Sequence, residues 1–188
     1  MQLSSSSSFV DRVIGAIRLD PATYESVEHD TDATWQAGLV VVVAAIFSGV
    51  GSTGGNTQGL VGGVLAALVF WAIFALFAYL VGAYLLRGPQ TSTTFGEVLR
   101  TLGFSYAPSL IAILGLIPGI GFLFTVVAAI WTLIASVIAL RQALEVSTGR
   151  AVAVVVVAFL AMIVVVAVIV AVLGISIVGL DRMTSRPV

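Results

Sequence analysis

Three long stretches of the chain carry no Asp, Glu, Arg, Lys or His: Trp35 to Leu86, Leu102 to Leu140, and Ala151 to Leu180. A water-soluble domain cannot hide so much apolar surface, so the pattern predicts membrane-spanning helices of roughly 20 residues each. Five segments qualify, at about 35–51, 60–86, 104–117, 120–140 and 151–178. The first is opened by Asp32 or Thr34 as helix cap and closed by the run Gly51-Ser52-Thr53-Gly54-Gly55-Asn56. The second is longer than a crossing needs, which predicts tilt or projection. The third is short and holds Pro108, unless the turn at Leu99 to Gly103 also dips in; the fourth follows a tight turn at Leu116 to Gly121 with Pro118 and Gly119. The last is valine-rich, as suits a lipid-facing helix. The expected organisation is a cytoplasmic N-terminal segment over 1–34, a five-span membrane domain over 35–180, and an external tail over 181–188. The fold class is all-α, a polytopic integral membrane protein with short N-terminal amphipathic helices.

Charge then orients the bundle. With five crossings, Arg12, Arg18, Arg87, Arg100, Arg141 and Arg150 share one face, and only Arg182 and Arg186 the other. By the positive-inside rule the N-terminus is cytoplasmic and the C-terminus outside. A re-entrant pair for the third and fourth segments leaves the same arginines inside, so both arrangements stay open.

Before the first span, Ser8 and Asp11 form a capping box, and Phe9, Val10, Val13, Ile14 and Ile17 fall on one helical face. With Arg12 and Arg18 beside that stripe, the segment reads as a helix lying in the membrane interface, its arginines among anionic headgroups. Asp20 before Pro21 caps a second short helix carrying Tyr24 and Val27. His29 lies among Glu25, Glu28, Asp30 and Asp32, which reads as a solvated acidic linker, because one imidazole on a loop lacks the geometry of a metal site. Between the second and third spans Thr94 and Glu97 form another capping box, with Glu97 and Arg100 one turn apart and expected to pair on the exposed face. Gly55, Gly59 and Gly63 are spaced for close helix packing.

Composition narrows the chemistry. Hydrophobic residues make up 60% of the chain and charged residues 9%, there is no cysteine, and His29 is the lone histidine, so thiol chemistry and Cys/His zinc sites are excluded. The apolar run begins too late, behind too polar a lead-in, for a cleaved signal peptide. No ionisable group stands inside a span, where transporters and proton pumps place theirs. Ser48, Ser109, Thr125, Thr132 and Ser136 are hydroxyls of the kind that satisfy backbone carbonyls. With no acid/base pair, activated nucleophile or phosphate loop, the reading is not an enzyme and needs no cofactor.

The stretch Arg100-Thr-Leu-Gly-Phe-Ser-Tyr-Ala-Pro-Ser-Leu, then Leu116-Ile-Pro-Gly-Ile-Gly, Ile130-Trp-Thr-Leu and Ala139-Leu-Arg-Gln-Ala, resembles the Yip family of Ypt/Rab-interacting membrane proteins, in its prokaryotic branch. The lead-in Leu19-Asp-Pro-Ala-Thr-Tyr is similar too, and the resemblance covers about residues 9 to 175. It implies five spans with a cytoplasmic N-terminus, and in eukaryotes a part in vesicle trafficking through small GTPases and family relatives. The acidic N-terminal motif of the eukaryotic relatives is not found here, which weighs against GTPase binding.

The expected function is a non-catalytic membrane scaffold or organising protein. It would bind other membrane proteins or its own copies, not nucleic acid, through its cytoplasmic face in a prokaryotic cytoplasmic membrane. Arg100, Arg141, Arg150 and Glu97 are the candidate partner-binding residues, with Pro108, Pro118 and Gly119 shaping the helices. The alternatives are an accessory subunit of a larger membrane complex and, third, a small transporter or channel.

Overall fold

The computed structural model describes residues 8–53 and 57–184, and every element in it is helical. Gly54, Gly55, Asn56 and Arg186 of the preceding expectations lie outside the described residues. In chain order the elements are α1 (Phe9–Ile17), α2 (Pro21–His29), α3 (Ala33–Thr53), α4 (Thr57–Leu80) running into a π-helical turn (Val81–Leu85), α5 (Phe95–Phe104), a 3-10 segment (Ala107–Leu116), α6 (Gly121–Ala143) and α7 (Thr148–Thr184). Five of these stretches are long and apolar enough to cross a membrane: Ala33–Val50, Gly59–Leu85, Phe95–Leu116, Gly121–Ala143 and Thr148–Val168. The protein is thus all-α and polytopic.

The apolar stretches overlap the segments expected at about 35–51, 60–86, 120–140 and 151–178, the last of them ending at Val168 among the residues whose side chains are described. The third starts at Phe95, well before Phe104. The Thr94–Glu97 capping box starts the helix: Glu97 N–H donates to Thr94 Oγ1 at 3.3 Å and Thr94 N–H to the Glu97 carboxylate at 2.7 Å. Arg100 does not end the span, because its guanidinium turns into the protein. After Ser105 and Tyr106 the chain continues as the 3-10 segment, with Pro108, which has no N–H to give an α-helix, in its first turn. Ten residues of α-helix and ten of 3-10 helix span about 35 Å at their usual rises, against roughly 30 Å of hydrocarbon.

The turn into α6 follows from its residues. Ile117 is extended (φ −74°, ψ 114°), as a following proline favours, Gly119 takes φ 85°, and Gly121 N–H closes the turn on Ile117 C=O at 2.8 Å.

The 3-10 segment lies between α3 and α6, and α5 touches α2, α3, α4 and α6, so this broken span is the centre of the bundle. Small residues let it in. A Cβ on Gly103 would stand 2.6 Å from the Ala37 Cβ, and one on Gly121 would stand 2.0 Å from the Gly115 carbonyl oxygen. Two side-chain bonds tie spans together: Trp71 Nε1 donates to Leu99 C=O at 3.0 Å, and the Ser105 and Ser136 hydroxyls meet at 3.0 Å. Large apolar side chains such as Val61, Phe122, Ile130, Leu160 and Val164 face outward, as a lipid solvent permits.

Candidate functional site: the polar end of the bundle

Among the described residues up to Arg150, the charged segments gather at one end. Each is held there by hydrogen bonds between elements. Thr91, buried in the loop between the π-helical turn and α5, accepts from Gly88 N–H at 2.9 Å and donates to Leu144 C=O at the end of α6 at 2.7 Å. Arg87 donates to Thr91 C=O at 3.3 Å, and Arg150 to Arg87 C=O at 3.5 Å. Gln142 reaches Glu25 of α2 at 3.4 Å.

α1 and α2 form a folded cap on this end. Ser8 and Asp11 close the capping box, and hydrogen bonds from Ser8 hold the Asp11 carboxyl below its ordinary pKa. A Schellman turn follows, Asp20 N–H to Gly15 C=O at 3.0 Å and Leu19 N–H to Ala16 C=O at 3.1 Å, with Leu19 left-handed at φ 61°. Asp20 then caps α2 through Ala22 N–H. Tyr24 is fully buried and donates to Ala16 C=O at 3.3 Å; burial pushes its phenol pKa well up.

The apolar stripe of α1 is split. Phe9, Val13 and Ile17 pack on the protein core, Phe9 with its ring 6.5 Å from Trp35 and 6.4 Å from Phe104, while Val10, Ile14 and Arg18 face outward. Arg12 departs from its expected place among headgroups. It is 5% exposed, paired with Asp30 at 2.6 Å and bonded to Gln36 at 3.3 Å. The Arg12 hydrogen bond holds the Asp30 carboxyl below its ordinary pKa.

Arg100 also departs from expectation, both as a partner-facing residue and as the surface mate of Glu97. It is 6% exposed, its Nε donates to Val27 C=O at 3.3 Å, and its Nη2 donates to Glu28 C=O. A cation on the last carbonyls of α2 satisfies acceptors that the helix leaves open, and this attraction wins over an exposed pair worth a few tenths of a kcal/mol. Glu97 stays at the exposed N-terminus of α5 as the reciprocal half of its cap.

The acidic stretch is not a uniformly solvated linker. Glu25, His29 and Asp32 are exposed, Asp30 is paired, and Glu28 is buried. Glu28 lines a cleft of about 300 Å³ with Glu25, His29, Arg141, Gln142 and Glu145. Burial, and then repulsion from Glu97, Glu145 and Glu25 against the opposing pull of His29, raises the Glu28 pKa to about 7. His29 is raised as well, first by its hydrogen bond with Glu25 C=O at 2.9 Å. Glu145 is left-handed at φ 50° in a second Schellman turn, Val146 N–H to Arg141 C=O at 3.2 Å and Glu145 N–H to Gln142 C=O at 3.0 Å, which sets its carboxylate on the cleft wall. Among the described residues no group of three or more His, Cys, Asp or Glu is arranged to hold a metal ion.

The α2–α5–α6 packing and the polar end from Ile14 onward lie inside the region, residues 14–170, that the family model of the Yip1 domain matches. The chain belongs to the Yip1 family. Searches of curated proteins and of solved structures return no match. In this Yip1-family chain Arg141 and Arg150 stand at the polar end, half-buried and exposed respectively, while Arg100 lies under α2. Sequence reasoning missed Glu28. Its one available signal was its place one residue after Val27 on the buried side of a capped helix.

Proposed function

We propose that this Yip1-family protein is a non-catalytic membrane scaffold that binds other membrane proteins, or further copies of itself, through its polar end, and that this end faces the cytoplasm. The observation that carries the reading is the segregation of polar groups. α1, α2, the 87–94 loop and the turn after α6 are tied into one surface, and the flanks of the bundle present apolar side chains to lipid. Directional recognition therefore has one place to occur, with Arg141, Arg150 and Glu97 on it. Purification in mild detergent tests this: partners that stay bound to the native chain should be lost when Arg141 and Arg150 are both changed to Ala. Partners that survive the double change would refute this surface. A fixed-stoichiometry complex held through the apolar flanks would instead make the protein an accessory subunit.

A further inference from the structure

At the cleft between α2 and α6 a largely buried acidic side chain turns its carboxyl toward open space. Glu28 is 6% exposed, yet its carboxyl accepts no hydrogen bond among the described residues; only its backbone carbonyl is taken, by Arg100. The Glu28 carboxyl oxygens are not among the buried polar atoms without a partner, which among the described residues are represented by Thr132 Oγ1, so they open onto the cleft. Stability does not account for it, since burial and the neighbouring carboxylates oppose its ionisation. Arg141 lines the cleft too; its Nε donates to Gln142 Oε1 at 3.2 Å, and Gln142 in turn binds Glu25 at 3.4 Å. The groups packed around Glu28 are Glu25 and His29 on its own helix, Glu97 and Arg100 on α5, and Arg141 and Glu145 at the end of α6. On α1, Arg12 is held by Asp30. The balance is acidic, the space suits one side chain, and the carboxylates are not grouped for a metal ion.

Resting on the reading of this end as a binding surface, we propose that the cleft receives one lysine or arginine side chain of a partner protein. Glu28 serves as its buried counter-charge, with Glu25 and Glu145 at the rim. A guanidinium or ammonium group entering the cleft supplies the donors that Glu28 lacks and favours its ionised form, so binding takes a proton off the carboxyl and strengthens as pH rises through neutrality.

The test uses the full chain in uncharged phosphatidylcholine nanodiscs and a fluorescent Gly-Arg-Gly-Arg-Gly amide peptide, with its citrulline counterpart as control. The arginine peptide should bind about tenfold more tightly near pH 8 than near pH 6, and the citrulline peptide should not bind. Glu28→Gln should weaken binding about tenfold at the higher pH and flatten the profile, while remaining at least as heat-stable as the native chain. His29→Gln should keep the profile. Equal binding by native and Glu28→Gln protein, or a pH profile lost with His29 rather than Glu28, overturns the proposal. In either case the scaffold reading stands or falls separately, by whether partners co-purify with the native chain.

Discussion

Arg100 shows how a single residue changes meaning once its surroundings are known. A charge on a short amphipathic helix reads as surface, but here the side chain closes the end of another helix from beneath. Arg100→Ala leaves two α2 carbonyls without their charged donor and should cost about 2–3 kcal/mol, read as a fall in the thermal unfolding midpoint in nanodiscs; Arg100→Lys should recover only part of it. The Asp30 carboxyl, held down by Arg12, contributes stability that is complete above the ordinary aspartate pKa of about 4 and is lost as pH falls through its lowered folded value. Acid should therefore loosen α1, and Asp30→Asn should remove that acid dependence at the expense of stability near neutrality. Glu28 has the opposite sign. Its raised folded value means that stability falls as pH climbs from about 4.3 toward about 7, so Glu28→Gln should raise the unfolding midpoint above neutrality. Glu145→Gly should stabilise by about 1 kcal/mol, because glycine relieves the left-handed backbone at an exposed position.

At the scale of elements, α1 divides its apolar residues between protein and surroundings. Val13→Asp should detach the helix from the core and open it to protease, whereas Ile14→Asp should weaken only its contact with the membrane surface and leave the docked helix protected. Equal digestion of the two variants would show that the two faces are not distinct. The close approach of α5 to α3 makes a second case: Gly103→Ala presses a methyl group against Ala37 and Trp71, 2.6 and 3.0 Å away, and should cost about 1–3 kcal/mol by thermal unfolding. In the same bundle the Thr132 hydroxyl is buried without a hydrogen-bond partner among the described residues. Thr132→Val, which keeps the shape, should be neutral or slightly stabilising.

For the whole molecule the central proposal is one of sidedness. The chain has no native cysteine, so single cysteines at Ser92, Ser147 and Gly119 report topology directly. Ser92 and Ser147 substitutions should react with a membrane-impermeant maleimide only after the cytoplasmic side is opened, and the Gly119 substitution from outside without opening. Labelling of the Ser92 and Ser147 substitutions from the cytoplasmic side with no labelling of the Gly119 substitution from outside would instead point to a re-entrant pair whose Pro118-Gly119 turn stays within the membrane. The same bundle explains why one end carries the chemistry, for its flanks are apolar side chains and its polar groups are drawn into the cap of α1 and α2.

What the sequence determined by itself was set by local or bulk effects. Uninterrupted apolar runs of bilayer length marked four of the five candidate spans, the third being too short by itself; the Ser8–Asp11 and Thr94–Glu97 pairs marked two helix starts, and Asp20-Pro21 a third. Each signal lies within a few residues and needs no distant partner. Tertiary structure decided the rest, because the physics was non-local. Arg100 meets α2 carbonyls 73 and 72 positions earlier, and Thr91 meets Leu144 at a separation of 53. No pattern along the chain states which charge will be buried. Glu28 became the unusual group only because α2 folds onto α5 and α6, where desolvation and the carboxylates of Glu97 and Glu145 act on it together.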